Sequence, residues 1–168
     1  MGYIFDKKLI PEICSQIKKE YKKVVLTHGT FDLYHIGHSV FLSKSKKQGD
    51  ILIVGVESDD RVKKLKDVKR PIITAVNRAR ILSHLNFVDF VFLIDTKGRL
   101  NEEYYIDLYR RIEPDYVTFG RNFDYQNQFK KKKNLIKGVN YKQLDSGIAP
   151  NSEFKESTTR IIERILKG

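Results

Sequence analysis

Short apolar runs alternate with segments of helical periodicity along this chain of 168 residues. Runs rich in β-branched residues and bounded by glycine or polar residues predict strands, and apolar residues spaced three or four positions apart predict helices. The predicted strands are residues 23–29, 50–56, 87–95, 115–120 and 139–144. The predicted helices are residues 8–20, 37–49, 74–86, 101–114 and 157–168, and residues 58–67 form either a short polar helix or a loop.

The alternation of strands and helices predicts an α/β fold, a Rossmann-like parallel five-stranded sheet with helices on both faces. The length suits a single domain that spans residues 1–168. Within it we expect an N-terminal helix in residues 1–21, a basic variable insertion in residues 121–138 and a C-terminal helix in residues 157–167 that Ser157 caps. Ligands of such sheets bind at the carboxyl ends of the strands, where the strand order reverses.

The formal net charge of +11 predicts a preference for anions. Nucleic acids, phosphorylated metabolites and acidic membrane surfaces all fit that charge. The apolar runs are too short to cross a bilayer, and the N-terminal residues lack the apolar segment of a secretory signal, so we expect a cytoplasmic protein without membrane insertion. The single cysteine, Cys14, excludes an internal disulfide and is expected in the core.

Three of the four histidines, His28, His35 and His38, follow one another closely at the end of the first predicted strand. The next predicted helix begins close to His38, and the free N–H groups and the dipole of a helix N-terminus favour an anion. His35 and His38 are three residues apart, so they share a helical face. Two imidazoles directed at one anion suit phosphoryl or nucleotidyl transfer, in which the protein positions groups and stabilises negative charge.

Two other interpretations of the histidine pair stay open. A pair spaced by three residues could hold a metal ion, although Asp32 is the only carboxylate nearby that could add a ligand. The histidines could equally be ordinary loop residues, because short motifs also occur by chance. Spacing alone does not decide between transfer chemistry, a metal site and a structural role.

Longer stretches of the sequence resemble a known family. Residues 29–38, GTFDLYHIGH, resemble the signature of the HxGH nucleotidyltransferases, which include the cytidylyltransferases, the pantetheine-phosphate adenylyltransferases and the class I aminoacyl-tRNA synthetases. Residues 49–72 and 78–95 are similar to the adenylyltransferase domain of ADP-heptose synthase. Residues 155–165, KESTTRIIERI, match the C-terminal Ser-Thr-Thr helix of the cytidylyltransferase-like group.

The resemblance implies an enzyme that transfers a nucleoside monophosphate from an NTP to a phosphorylated small metabolite and releases pyrophosphate, with Mg²⁺ accompanying the NTP. It favours ATP and a sugar 1-phosphate. The alternative is a CTP-dependent cytidylyltransferase that acts on an alcohol phosphate such as glycerol 3-phosphate. Relatives of this kind are commonly dimers, so the resemblance also implies a homodimer.

The resemblance assigns roles residue by residue and implies no metal site formed by the protein. The implied catalytic residues, which stabilise the transferring phosphoryl group, are His35, His38, Lys46, Lys63 and Lys66. The implied nucleotide-binding residues are Gly29, Thr30, Phe31, Gly37, Gly120, Asp124, Ser157, Thr158 and Thr159. The implied acceptor-binding residues are Asp32, Lys64, Arg78 and Arg121. His28 receives no catalytic role, and His84 is expected to be structural.

Two segments differ from the relatives. Ser152 stands where glycerol-3-phosphate cytidylyltransferases carry an arginine, and residues 118–125, TFGRNFDY, differ from the corresponding loop of the heptose enzymes. The run Lys130–Lys133 could be a solvated loop, a guide for phosphorylated substrates or a nucleic-acid patch. A non-catalytic nucleic-acid-binding module is therefore the alternative of another class, although nucleic acid is not the expected partner.

Overall fold

Six parallel strands form the sheet in the part of the chain that the computed structural model describes, residues 2–20, 22–66, 68–95, 102–120, 136–145 and 157–167. The strands are β1 Tyr3–Phe5, β2 Val24–Gly29, β3 Ile51–Glu57, β4 Phe90–Ile94, β5 Tyr116–Gly120 and β6 Asn140–Leu144. Their order in the sheet is β1-β4-β3-β2-β5-β6, and every neighbouring pair is parallel. The predicted parallel α/β architecture is confirmed.

The helices of the described residues connect these strands. They are α1 Ile10–Lys19, α2 Ile36–Lys46, α3 Asp59–Leu65, α4 Ala75–Ser83, α5 Glu102–Ile112 and α6 Thr158–Lys167. All the predicted helices and strands are found, and α3 resolves residues 58–67 as a short helix. The predicted number of strands was one too low, because Tyr3–Phe5 pairs with β4 at the sheet edge. A three-residue edge strand is too short to show an alternating pattern, so only its pairing reveals it.

The core consists of two apolar layers, one on each face of the sheet. Strand β3 supplies both, since Ile53 belongs to the cluster beneath α1 and α5, whereas Leu52 and Val54 belong to the cluster beneath α2 and α4. This burial on both faces explains the continuous apolar run of β3. Cys14 lies in the first cluster, as expected, and burial raises the pKa of its thiol to about 12.

The strand order reverses at β2, which has β3 on one side and β5 on the other. Chain connections therefore lead away from β2 in both directions, and sheets of this kind bind ligands in a crevice at the carboxyl ends of the strands at such a point, which here are β2 and β5. Gly29 ends β2 and Gly120 ends β5, so both glycines lie at this edge of the sheet. The HxGH stretch follows directly after Gly29, which places it at the expected ligand-binding edge.

Candidate active site

The turn between β2 and α2, residues 30–35, is held in an unusual backbone conformation. Phe31 has φ 52° and Leu33 has φ 45°, although neither residue is glycine. Residues in this left-handed region are strained, and such strain is concentrated at functional sites. The Phe31 ring is buried and packs against Gly29, where an added Cβ would lie 3.2 Å from the ring. Packing of the Phe31 ring in the apolar core thus stabilises a strained turn at the carboxyl end of β2.

His35 begins the helix that follows this turn. Its backbone is extended, with φ −140° and ψ 171°, and its Nδ1 accepts a hydrogen bond of 3.1 Å from the backbone N–H of Gly37. Because Nδ1 accepts, we assign the proton of the neutral ring to Nε2. His35 is therefore the N-cap of α2, a position that sequence reasoning placed near residues 36–38 without identifying the capping side chain.

His38 stacks on His35, with ring centroids 3.8 Å apart and an interplanar angle of 24°. The Phe31 ring also contacts His38 in an edge-on arrangement, with ring centroids 5.4 Å apart. Burial, followed by the charges of His35 and Lys66, lowers the pKa of His38 to about 3, against a smaller opposing effect of Asp32. His38 is therefore neutral at physiological pH, which suits a hydrogen-bonding partner of an oxyanion.

The Nδ1 atom of His38 is buried and has no hydrogen-bond partner among the described residues. Buried polar atoms are nearly always paired in folded proteins, and an exception points to a ligand, a water or a functional role. The atom lies in the first turn of α2, where the free N–H groups and the helix dipole already favour an anion. The predicted pair of His35 and His38 is thus brought together at one helix N-terminus.

Asp32 organises the surroundings of this pair. Its carboxylate accepts hydrogen bonds from Arg70 Nε at 3.1 Å, from the N–H of Ile72 at 3.0 and 3.1 Å, and from the N–H of Ile73 at 2.9 Å. Burial alone would raise the pKa of Asp32, but these backbone N–H groups and Arg70 outweigh it and lower the pKa. Asp32 therefore ties the loop before α4 to the strained turn as a buried carboxylate.

The first turn of α6 is also fastened to this turn. Thr158 is buried, and its hydroxyl donates a hydrogen bond of 2.7 Å to the backbone carbonyl of Asp32. Ser157 caps the helix as predicted, since its Oγ accepts from the N–H of Arg160 at 3.3 Å. The Ser-Thr-Thr helix, 126 residues away in sequence from Asp32, therefore points its N-terminus towards the HxGH turn.

Comparison with known proteins agrees with this arrangement. The sequence model of the cytidylyltransferase-like family matches residues 26–164, which include the turn, both histidines and most of α6. The chain belongs to the cytidylyltransferase-like family. This family is one of nucleotidyltransferases, so the predicted resemblance and the predicted class of enzyme are both confirmed at the level of the family.

The chain is also similar in sequence to individual proteins named HldE. The bifunctional protein HldE of Campylobacter concisus is 38% identical over 169 residues, covering 98% of this chain and 32% of that protein. HldE of Campylobacter jejuni strain RM1221 is 36% identical over 163 residues, covering 96% of this chain and 32% of that protein. The chain thus spans about a third of the length of these relatives.

Solved structures share the fold. A lipopolysaccharide core biosynthesis protein from Thermoplasma volcanium has a TM-score of 0.58 and 29% identity, covering 74% of this chain and 95% of that one. A pantoate-beta-alanine ligase from Francisella tularensis has a TM-score of 0.61 and 18% identity, covering 86% of this chain and 67% of that one. The second likeness, at its low identity, concerns the fold alone.

Lys46 does not reach the site, contrary to the prediction. It ends α2, which returns along the sheet, so it lies at the amino-terminal edge of the strands. There its amino group contacts Asp89 Oδ2 at 2.5 Å and the backbone carbonyl of Asp50. Asp89 Oδ2 also accepts from the N–H of Leu52 at 2.7 Å, so Lys46 belongs to a structural cluster. The resemblance placed Lys46 at the phosphate, whereas the course of α2 along the sheet carries it to the opposite edge.

Lys66 is the lysine of the α3 segment whose charge acts on the His38 imidazole and lowers its pKa. Lys66 is exposed as a residue, yet desolvation of its amino group and the charges of Arg70 and Arg78 lower its pKa, against an opposing effect of Asp32. Lys63 and Lys64 are exposed in the last turn of α3. The structure therefore singles out Lys66 among the three predicted lysines.

Arg78 does not face an acceptor, contrary to the prediction. Its side chain is fully buried and donates to the backbone carbonyls of Ile73 at 2.8 Å, Glu57 at 2.8 Å and Thr30. It also pairs with Asp59 Oδ1 at 2.6 Å. Arg78 therefore joins the strained turn, β3 and the start of α4. The position of an arginine along α4 does not reveal that the side chain is enclosed.

One further prediction changes in the same way. The carboxylate of Asp32 is occupied by Arg70 and backbone N–H groups, so it positions the site instead of binding the acceptor. Phe31 belongs to the turn after β2, as predicted, and its ring lies in the core. Gly37 is buried in the first turn of α2, where its N–H binds His35. Arg121 and Asp124 lie outside the described residues.

Sequence reasoning missed a buried polar network beside the site. His28 Nδ1 lies 3.2 Å from Glu57 Oε1, and His28 Nε2 lies 2.7 Å from the Tyr109 hydroxyl. Tyr105 stacks on His28 with centroids 4.5 Å apart and donates to Glu57 at 2.8 and 2.9 Å. His28 thus connects the end of β2 to β3 and α5. The available signal was a glutamate at the end of the apolar run of β3.

The described residues contain no group of three or more histidine, cysteine or acidic side chains that could hold a metal ion. The carboxylate nearest to the histidine pair in sequence, Asp32, is already bound to Arg70. Within the same described parts, every helix is too short or too polar to cross a membrane. Oligomeric state, location and the division into one domain stay predictions.

Proposed function

We propose that this domain transfers a nucleoside monophosphate from an NTP to the phosphate of a small metabolite and releases pyrophosphate. The observation that carries the proposal is the stacked pair of His35 and His38 at the start of α2. The pair lies at the edge where the strand order reverses, and the buried Nδ1 of His38 has no hydrogen-bond partner among the described residues.

The chemistry requires positioning more than covalent catalysis. An oxygen of the acceptor phosphate forms a bond to the α-phosphorus of the NTP. The bond from that phosphorus to the oxygen bridging to the β-phosphorus breaks, and pyrophosphate leaves with the electron pair. Because a phosphate monoester has its second pKa at about 6, the acceptor is already a nucleophilic dianion at neutral pH and needs no general base.

Residues on three sides of the crevice stabilise the charge of this transition state in the proposal. The imidazoles of His35 and His38 donate hydrogen bonds to phosphoryl oxygens from the N-terminus of α2. The amino group of Lys66 adds positive charge from the loop after α3. Ser157 and Thr159, in the first turn of α6, receive the β- and γ-phosphates through the free N–H groups of that turn.

Mg²⁺ enters this scheme as the counter-ion of the NTP. Magnesium commonly binds substrate phosphates and retains several waters, so it does not depend on a protein cage. The ion would neutralise the triphosphate and make pyrophosphate a better leaving group. The positive charge contributed by the chain itself then remains available for the α-phosphoryl oxygens.

ATP and a sugar 1-phosphate are the proposed substrates. The support is similarity to HldE proteins over nearly the whole chain, and to a lipopolysaccharide core biosynthesis protein over 95% of that protein's length. CTP with an alcohol phosphate is the second candidate, because the matching family is the cytidylyltransferase-like one. Gly120 ends β5 at this edge of the sheet, and in the proposal the nucleobase lies on that side in either case.

Pyrophosphate release across a panel of NTPs and acceptor phosphates tests the proposal. We expect turnover with one NTP and a sugar phosphate, and a loss of about two to three decades in rate for His35→Ala and for His38→Ala. His84→Ala is the matched control, because His84 is the C-cap of α4 and its Nδ1 contacts the backbone carbonyl of Arg80. Turnover that is unchanged in both histidine variants would refute the mechanism, and no turnover with any pair would refute the function.

A further inference from the structure

Arg70 lies in the loop between α3 and α4 and is nearly enclosed, with 11% of its side chain exposed. Its Nε donates to Asp32 Oδ2 at 3.1 Å. Its Nη2 is buried and has no hydrogen-bond partner among the described residues. A guanidinium carries five N–H donors, and leaving donors of a buried cation unpaired costs more than leaving a neutral group unpaired. The buried Nη2 of Arg70 therefore lacks a hydrogen-bond acceptor among the described residues.

Among the described residues, the charged groups that act on Lys66 and Arg70 include more cations than carboxylates. Lys66 precedes it by four residues, and the charge of Arg70 contributes to the lowered pKa of Lys66. The carboxylate that opposes these two cations is Asp32, which provides one negative charge and already accepts from Ile72, Ile73 and Arg70. Arg78 is also close to Lys66, but Asp59 neutralises it.

The same carboxylate ties Arg70 to the candidate active site. Asp32 belongs to the turn that carries His35 and His38, and its backbone carbonyl binds Thr158 at the start of α6. Lys66, the neighbour of Arg70, acts electrostatically on His38. Asp32 binds Arg70, and Asp32 and Lys66 both act electrostatically on His38, so the unpaired Nη2 of Arg70 and the unpaired Nδ1 of His38 belong to one group of interacting charges.

We propose that Arg70 is a phosphate-binding residue of this site, which Asp32 holds in place through Nε while the Nη2 edge binds a phosphate oxygen. A planar guanidinium can bind a carboxylate along one edge and an oxyanion along another, which an ammonium group cannot do with the same rigidity. The proposal rests on the proposed function for the identity of the reactants. The phosphate belongs either to the NTP or to the acceptor.

Binding of inorganic pyrophosphate, measured by calorimetry, tests Arg70 without requiring turnover. Arg70→Gln retains an N–H donor for Asp32 but loses the charge and the second amino group. We expect its dissociation constant for pyrophosphate to rise about tenfold to hundredfold, the effect of losing one charge-assisted hydrogen bond. Arg80→Gln, which removes the same charge from an exposed position on α4, should bind pyrophosphate as the unaltered chain does.

Steady-state kinetics then separate the two sources of the phosphate. A raised KM for the NTP alone assigns Arg70 to the triphosphate, and a raised KM for the acceptor alone assigns it to the acceptor phosphate. Unchanged pyrophosphate affinity in Arg70→Gln, or an equal loss in Arg80→Gln, would overturn the proposal. Failure of the unaltered chain to turn over any substrate pair would instead refute the proposed function, and the calorimetric result would still decide the role of Arg70.

A second measurement applies if Arg70→Gln does not fold. In the unaltered chain labelled with ¹⁵N-arginine, the Nη signals of Arg70 should shift when pyrophosphate is added, while those of Arg80 stay in place. Pyrophosphate-dependent shifts that leave the Arg70 signals unmoved would contradict the proposal.

Discussion

Replacing Asp32 by asparagine should destabilise the fold severely, although the two side chains have the same shape. Asp32 is fully enclosed, and its two oxygens accept from Arg70 Nε and from the N–H groups of Ile72 and Ile73. In the asparagine variant one oxygen becomes an NH₂ group. This group faces N–H donors on either side and cannot accept from them, so at least one buried donor loses its partner.

The size of the stability loss in Asp32→Asn follows from the positive charge of Arg70, which remains buried without its carboxylate. Removing one partner of a buried ion pair costs about 3–5 kcal/mol, because the other charge is left without compensation. Arg70 would be that uncompensated charge, with 11% of its side chain exposed. A domain of this size has a free energy of unfolding of about 5–15 kcal/mol, so Asp32→Asn should remove at least about a fifth of it.

Urea denaturation followed by circular dichroism measures this loss. The matched control is Asp107→Asn, which breaks the pair of Asp107 with Arg111 on the surface of α5, where both side chains are more than half exposed. That pair spans one helical turn and should contribute about 0.3–0.5 kcal/mol. A loss in Asp32→Asn no larger than that in Asp107→Asn would refute the account of Asp32 as an organising charge.

The effect of Asp32→Asn should also depend on pH. Because the pKa of Asp32 is lower in the folded chain than its ordinary value of 3.8, the carboxylate contributes stability above that value. This contribution is lost as the pH falls through the folded-state pKa. The difference in unfolding free energy between the unaltered chain and Asp32→Asn should therefore be constant from pH 5 to 7 and should shrink on acidification below about pH 4.

Two further outcomes follow from the site and from the opposite edge of the sheet. NMR of the His38 imidazole should show no protonation between pH 5 and 8, since its pKa lies at about 3. Because this pKa is lower in the folded chain than in the unfolded chain, the His38 contribution should reduce the free energy of unfolding as the pH falls below about 6.5. Lys46→Met should leave the KM for both substrates unchanged, because Lys46 binds Asp89 at the amino-terminal edge, and should cost about 1 kcal/mol or less in urea denaturation.

These two measurements have clear contrary outcomes. A midpoint for His38 between pH 5 and 8 would mean that the imidazole is less buried, or less close to positive charge, than the geometry indicates. A KM that rises severalfold in Lys46→Met, at unchanged stability, would return Lys46 to the phosphate site and contradict its placement beside Asp89.

Much of the fold could be predicted because its signals are local. The apolar run of β3 is continuous since both faces of that strand are buried, and Ser157 precedes α6 because a hydroxyl can accept from the first helical N–H groups. The proximity of His35 and His38 was predictable for the same reason. Three residues separate them, so one helical turn brings their rings together whatever surrounds the helix.

Other roles depend on contacts between residues distant in sequence. Arg70 and Asp32 are 38 residues apart, and Arg78 and Thr30 are 48 residues apart, so no local pattern indicates that their side chains meet. A side chain's charge type does not show whether it faces solvent, a substrate or a buried partner. This is why the resemblance implied acceptor-binding roles for Asp32 and Arg78, and why Arg70 received no role from the sequence.

The sequence by itself determined the alternation of helices and strands, the histidine pair and the likeness to the family, because each depends on neighbouring residues or on an ordered set of motifs. Only the tertiary structure decided which charged groups face the crevice. In the folded domain Lys46 lies at the opposite edge of the sheet, Arg78 is fully buried and Arg70 binds Asp32. The physical reason is that the direction of each helix along the sheet, and the partner of each buried charge, are fixed by the packing of the whole domain.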